Sequence, residues 1–527
     1  MANKKRKSKP STNTADRTLE KGLLAVRALM KNGEYKKALA KFEKYEQKYP
    51  EHPLIILNRS GLRIDAGERL DEMDMIEQAV LDIDTLLENT VPDSFYGILH
   101  YNRANGIQHR IRKYFHDHGT YFGAEEDIAR CMDSFKQVGT DDAIVNLGNL
   151  YDEIGRPLEA IVTYEKVTAR TPGFGMAIGN KALAVENLVP ISEYQAAYLV
   201  YAHQLYEQAL SHKESVIEHG GVHSLHDFTS RRDNIAAHLK HTGHEDWLER
   251  DLAHDAFNAE DYLEDEASYV QFCLENDLYL NLHFFDRQSA ASIGDVVSTG
   301  FISRVRDDAE DARVKEMFMR INEIKESYAT GRYILWQSQQ RTPTLAGISE
   351  QTLFVNNLDY TMHNIYTGLL KSAYKEAFSA LDKIANVLNY YLELGNEKEN
   401  RINYRNDWYA DVTPKKGYHP KILEQNFRLF GLFSVLQDLG GDPSEVRNSL
   451  EHRYFKVGTM SSGDGKPPTF EELTKQTIDA YYEIKSAITY LINFIHSCEE
   501  VKRAKAQQES KWLPTMPVVT AQWLDLV

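Results

Sequence analysis

The chain has 527 residues, which suggests two to four domains, and 42% of them are hydrophobic, enough for sizeable cores. A formal net charge of -17 excludes a protein that coats nucleic acid through general positive surface, and leaves room for a local basic groove. Three widely separated cysteines, Cys131, Cys273 and Cys498, exclude a zinc ribbon or a disulfide framework and fit a reducing cytoplasm.

Residues 1–18 read as a disordered basic tail; KKRK carries charge but no apolar core follows it, so it is not a secretory signal. No apolar run approaches the roughly eighteen residues that a membrane helix needs. Ala487–Ile495 is the most apolar stretch and is too short, so no membrane partner is expected. Few prolines and long periodic segments predict an all-α protein.

Counting Leu19 as position 1, Gly33 falls at 15, Ala38 at 20, Phe42 at 24 and Pro50 at 32. Residues 141–174 repeat the scheme with Gly155, Ala160, Tyr164 and Pro172. Small residues at 15 and 20 would let two antiparallel helices pack closely, the aromatic would fill the space between them, and the proline would end the second. This spacing resembles the tetratricopeptide repeat. Residues 53–86 keep Gly61 and Gly67 but lose the alanine, and 87–140 is too long for one repeat, so an insertion is expected around RIRKYFHDHGTYFG. MAIGNKALAVENL and YQAAYLVYAHQLYEQAL read as one more helix pair. The resemblance implies a solenoid over residues 19–255 whose concave face takes a peptide or protein partner.

Nine of the nineteen histidines fall in residues 203–254, which raises a metal site as a minority reading. Glycines after His219 and around Thr242-Gly243 should break the helices there, so a polar surface is the default and no metal or cofactor is expected. Residues 256–345 read as a connecting helical segment; its long helix carries Met317, Ile321, Ile324 and Tyr328 on one stripe.

A second helical domain is expected over 346–500. Ala377, Leu381, Ile384, Leu388 and Tyr391 make a core stripe that Gly395 ends, with Asp382 beside it on the polar side. Arg401, Arg405, Lys415, Lys416 and Lys421 then alternate with Tyr404, Trp408, Tyr409 and Tyr418. Cations meet phosphates and aromatics stack on unpaired bases, which suits single-stranded RNA. Aromatics packed under the domain's own helices are the equal alternative.

The run DPSEVRNSLEHRYFKVG follows. Asp442 and Pro443 make a helix start, and Val446, Leu450 and Tyr454 give a buried stripe. Arg447 and Glu451 lie one turn apart, as do Asn448 and His452, so one short helix presents a guanidinium, an amide and an imidazole. Arg-to-His pairings also occur elsewhere, as in Arg103/His109 and Arg232/His238, so the surroundings carry the weight. RNSLEHRYF, preceded by DKIANVLNYYLEL, ENDLYLNLHFFD and ESYATGRYILWQS, resembles the LA2681-like branch of the HEPN superfamily of α-helical ribonucleases, over roughly residues 260–500.

That resemblance implies a metal-independent endoribonuclease in which the RNA's own 2′-hydroxyl attacks. Arg447 would hold the scissile phosphate, His452 would move protons and Asn448 would orient either group. Glu451, Asp382 and Arg453 would support them, and Arg401, Arg405, Trp408, Lys415, Lys416 and Lys421 would bind RNA. It further implies a homodimer facing two motifs across one cleft, and by analogy a toxin or anti-phage defence role. The alternative is a non-catalytic adaptor: tetratricopeptide repeats fused to a HEPN dimerisation domain. The tail, 501–527, is amphipathic and proline-interrupted, and either docks back or binds a partner.

Overall fold

The computed structural model describes residues 14–89, 92–192, 195–250, 252, 256–303, 308–351, 360–396, 402–438, 455–459, 467–509 and 515–517. As expected, these are mostly α-helical, with one short antiparallel ribbon, single-turn 3-10 segments and irregular stretches over 276–300 and 402–419. The chain divides between Leu150 and Tyr151 into two compact units. That division falls inside the stretch 19–255 expected to be one solenoid.

In the first unit, α1 (Thr14–Lys31) and α2 (Tyr35–Lys48) pair, followed by α3 (Pro53–Leu70) with α4 (Met73–Glu88) and α5 (Asp93–His118) with α6 (Glu125–Val138). Each pair packs on the next, and α1, α3 and α5 lie side by side. Leu19, Leu23, Val26, Ala38, Phe42 and Ile55 form one buried cluster. Gly33 does not serve close packing as expected: a Cβ there would meet nothing within 4 Å, and its φ of +75° shows that it supplies the left-handed turn instead. The expected insertion appears as extra length in α5, a 26-residue helix ended by Gly119.

The division lies within α7 (Asp141–Glu153). The second unit continues with α8 (Pro157–Arg170), α9 (Gly175–Glu186), α10 (Gln195–Ser211) and α11 (Lys213–His241), the last kinked at Gly221 where the sequence indicated a break. Only Glu264–Glu275 (α12) of the acidic stretch after it is a regular helix. α13 (Asp308–Gln339), α14 (Pro343–Glu350), α15 (Ile365–Tyr391), the single turn α16 (Pro420–Leu423), α17 (Phe427–Asp438) and α18 (Phe470–Gln508) complete it.

α13 packs along α15, and α18 packs on α13, α15 and α17. Both sequence stripes face this core: Met317, Ile321, Ile324 and Tyr328 are buried, as are Ala377, Leu381, Ile384 and Leu388. α13 therefore belongs to the bundle rather than to a connector. α18 starts with a capping box in which Thr469 Oγ1 accepts from Glu472 N (3.1 Å) and the Glu472 carboxylate accepts from Thr469 N (2.8 Å). Ala487–Ile495 is buried on every side of this helix, which accounts for its apolar character. No helix among the described residues is long and apolar enough to cross a membrane. Part of the tail docks back: β2 (Thr515–Pro517) pairs antiparallel with β1 (Phe301–Ser303).

Candidate functional site

Arg447, Asn448, Glu451, His452 and Arg453 lie outside the described residues, as does Arg401. The structure shows the frame on either side of the run. Upstream, α17 is described as far as Asp438. Downstream, Phe455–Thr459 is laced to the start of α15: Lys371 Nζ donates to Phe455 O (2.7 Å), Met362 N to Val457 O and Thr459 N to Tyr360 O (both 2.8 Å). Burial lowers the Lys371 ammonium from its ordinary pKa. The segment that begins three residues after His452 is thus tied to the first turns of α15.

Asp382 stands farther along α15 and accepts from the Tyr404 backbone N–H (3.1 Å). It thereby holds the loop that carries the basic and aromatic residues. That loop corrects the sequence reading. Trp408 is 1% exposed; its indole N–H donates to Tyr404 O, and its ring meets Tyr404 and Phe433 edge-on, so it cannot stack on a base. Tyr404 is equally buried, and Tyr409 stacks on Tyr418 with centroids 5.0 Å apart. The aromatics pack inward because an indole or phenol with its polar atom satisfied gains more from burial than from water. Lys421 is also engaged: its ammonium donates to the carbonyls of Leu392 and Glu393 just past the end of α15, a capping role that suits a cation at a helix C-terminus. Arg405, Lys415 and Lys416 remain exposed, with Lys416 paired to Asp411.

Sequence reasoning missed the strongest electrostatic feature of this unit. Arg156, in the turn before α8, is 0% exposed. Its guanidinium lies 2.5 Å from Asp438, 3.2 Å from Glu159 and 3.6 Å from Glu483. Burial opposes its charge, but Glu159 and Asp438 more than offset that and hold its pKa well above the ordinary value. Burial and then Glu159 push the Glu483 carboxyl up to about 8, so it keeps its proton at neutral pH. A second buried pair, Arg332 with Asp295 (2.9 and 3.0 Å), lies between α13 and the irregular segment after α12. Only the Arg156–Glu159 contact is local; Asp438, Glu483 and Asp295 come from outside the turn or helix that carries the arginine.

The described histidines of 203–244 are dispersed. His203 is buried in α10, His219 packs on Phe174 with centroids 4.4 Å apart, and His238 lines a cleft of about 540 Å³ with His496, Glu186, Glu500 and Arg503. Among the described residues no group of three or more His, Cys, Asp or Glu is placed to hold a metal ion. In the first unit, a groove of about 360 Å³ runs along α1, α3 and α5, lined by apolar Leu23, Met30 and Leu62 and by polar Arg27, Asn58 and Asn102.

Residues 309–498 match the family model for the LA2681-like HEPN domain. The match takes in α13, α15, α17, most of α18 and the run from Arg447 to His452, and begins earlier than the expected boundary at 346. HEPN domains are generally of ribonuclease type. No curated protein matches the chain.

Proposed function

We propose that the protein is a metal-independent endoribonuclease whose active run is Arg447-Asn448-Ser449-Leu450-Glu451-His452. The observation that carries this reading is that the family match encloses a run retaining arginine, asparagine and histidine in the spacing such chemistry uses. Arg447 binds the scissile phosphate bidentately and stabilises the charge it gains in the transition state. His452 transfers protons, and Asn448 orients the phosphate or the imidazole. The 2′-hydroxyl displaces the 5′-oxygen, leaving a 2′,3′-cyclic phosphate and a 5′-hydroxyl. Arg405, Lys415 and Lys416, exposed on one loop, guide the RNA backbone.

In-line displacement needs a base on one side of the phosphorus and an acid on the other. One histidine cannot serve both positions comfortably, so the working form is a homodimer that contributes two His452 side chains to one cleft. The paired helices of the first unit, with their mixed apolar and amide-bearing groove, support tetratricopeptide-like recognition of a peptide or protein that controls cleavage. A sensor region joined to a ribonuclease fits a toxin or anti-phage role.

The test is RNA cleavage by purified protein and by His452→Ala. The variant should lose cleavage while its melting temperature stays near wild type, since substitutions away from special features usually shift stability by no more than about 0.5 kcal/mol. A large stability loss with undiminished activity per folded molecule would make His452 a core residue. A folded wild-type protein that cuts no RNA would favour the adaptor reading. Specific activity should also fall on dilution below the dimer dissociation constant.

A further inference from the structure

The loop with the exposed cations Arg405, Lys415 and Lys416 is tied to the end of α15 through a buried carboxyl. Asp407 is 2% exposed, and its Oδ1 accepts from Asn396 Nδ2 at 2.8 Å. Asn396 is itself fixed to α15: its N–H donates to Asn389 Oδ1 and its carbonyl accepts from Asn389 Nδ2, both at 3.2 Å. Asp407 Oδ2 is buried with no hydrogen-bond partner among the described residues. The charged and titratable groups of the surrounding elements face other partners. Asp382 of α15 holds the Tyr404 N–H, the Tyr404 hydroxyl donates to Leu432 O, and Glu393 past α15 pairs with Arg313. Asp411 pairs with Lys416, His419 Nδ1 accepts from Lys421 N, Lys421 Nζ donates to Leu392 O and Glu393 O, and Arg428 of α17 lies over the Phe427 ring.

Just beyond Asp407 the backbone is strained. Asp411 and Val412 follow each other at φ +51° and +50°, in the left-handed region that a β-branched valine rarely enters. Such backbone persists only where its surroundings hold it. Here the two sides of the turn are bonded together: His419 N donates to Trp408 O at 2.9 Å and Ala410 N to Gly417 O at 3.0 Å. Trp408, buried, follows Asp407 directly, so the anchor and the closed turn are one continuous piece. A neutral carboxyl suits a dry place that offers one donor. A carboxylate there lacks the partners that would offset its lost hydration. Burial pushes the Asp407 carboxyl up to about 7, so the change of state falls near neutral pH.

We propose that Asp407 is a proton-dependent latch on the RNA-guiding loop of the function proposed above, on which this inference rests. Protonated, it keeps the strained turn fixed to the end of α15, and Arg405, Lys415 and Lys416 have a set placement. Ionised, it is driven toward water, the turn relaxes, and the three cations lose that placement. RNA affinity therefore falls as pH rises through neutrality.

The test compares full-length wild type with Asp407→Asn, which keeps the shape and the acceptor for Asn396 but cannot ionise. Hydrogen-exchange protection of residues 402–419, corrected for the intrinsic effect of pH, should fall about tenfold from pH 6 to pH 8.5 in wild type and less than about twofold in the variant. Residues 175–186 of α9 are the internal control and should not change. Affinity for a 2′-O-methyl oligouridine, which 2′-hydroxyl attack cannot cleave, should weaken about fivefold more over the same range in wild type than in the variant, at one fixed salt concentration. Wild-type protection that does not change with pH overturns the latch, whatever the variant does. A pH dependence that Asp407→Asn retains assigns it to another group and overturns the role of Asp407. Protection that falls while affinity does not follow overturns the placement of the cations. A protein that binds no RNA at either pH overturns the RNA-guiding role of the loop, while the exchange arm alone still upholds or overturns the latch.

Discussion

The two units use charge in opposite ways. In the first, Arg63 pairs with Glu46 and Asp82 and Arg103 with Asp84 between successive helices, and Arg130 of α6 reaches Asp84 of α4, with side chains 17–30% exposed. In the second, the cations sit inside: the side chains of Arg156, Lys485 and Arg332 are 0%, 3% and 4% exposed. Arg156 and Lys485 pair with Asp438 and Asp277 from distant parts of the chain, and Arg332 with Asp295 from the irregular segment before its own helix. The first unit is thus held by contacts between sequence neighbours, with charge trimming its rim. The second depends on a few long-range buried pairs that fail if either member is lost.

The largest expected difference follows directly. Arg156→Met or Arg332→Met should cost about 3–5 kcal/mol, because each leaves uncompensated buried carboxylate. Arg63→Met, in the first unit, should cost under about 1 kcal/mol, as part-exposed pairs do. Denaturant titration followed by probes in each unit would show this. Equal losses at Arg63 and Arg156 would break the comparison.

A smaller effect is expected with pH. The folded Glu483 holds its proton up to about pH 8, against an ordinary value of 4.5, and burial likewise pushes Asp407 up to about 7 from 3.8. Between those limits the folded protein binds more protons than the unfolded chain. Their stabilising contribution is complete below the unfolded values and is lost as pH rises through the folded ones. The melting temperature of the second unit should fall by several degrees from about pH 6 to about pH 9. Glu483→Gln, which resembles the protonated form, should flatten that fall, and a slope unchanged by the substitution would count against the buried proton. The smallest effect is Lys416→Ala: stability within about 0.5 kcal/mol of wild type, and RNA binding weakened with a shallower salt dependence.

This contrast also explains what could be read in the sequence. The helix pairs, the stripes of α13 and α15 and the breaks at Gly221 and Gly395 were legible, because periodicity and punctuation are local. The role of Trp408 was not, since composition cannot tell an aromatic facing RNA from one packed beneath its own loop. Gly33 was recognised as a small residue but assigned to packing when its turn geometry is what matters. Arg156 gave no signal at all, because its acceptor on Ser434 lies 278 positions away. The run from Arg447 to His452 was legible only as a pattern of side-chain chemistry, and its residues lie outside the described ones.

The most direct test of the ribonuclease reading is the chemistry of the cut ends. Wild-type protein incubated with single-stranded RNA in excess EDTA should yield 2′,3′-cyclic phosphate and 5′-hydroxyl termini. Arg447→Lys should lose most of that activity, because a point charge cannot reproduce the guanidinium fork. Cleavage that disappears in EDTA, returns with Zn²⁺ and survives Arg447→Ala would contradict the account and move the chemistry to the histidines of residues 203–254.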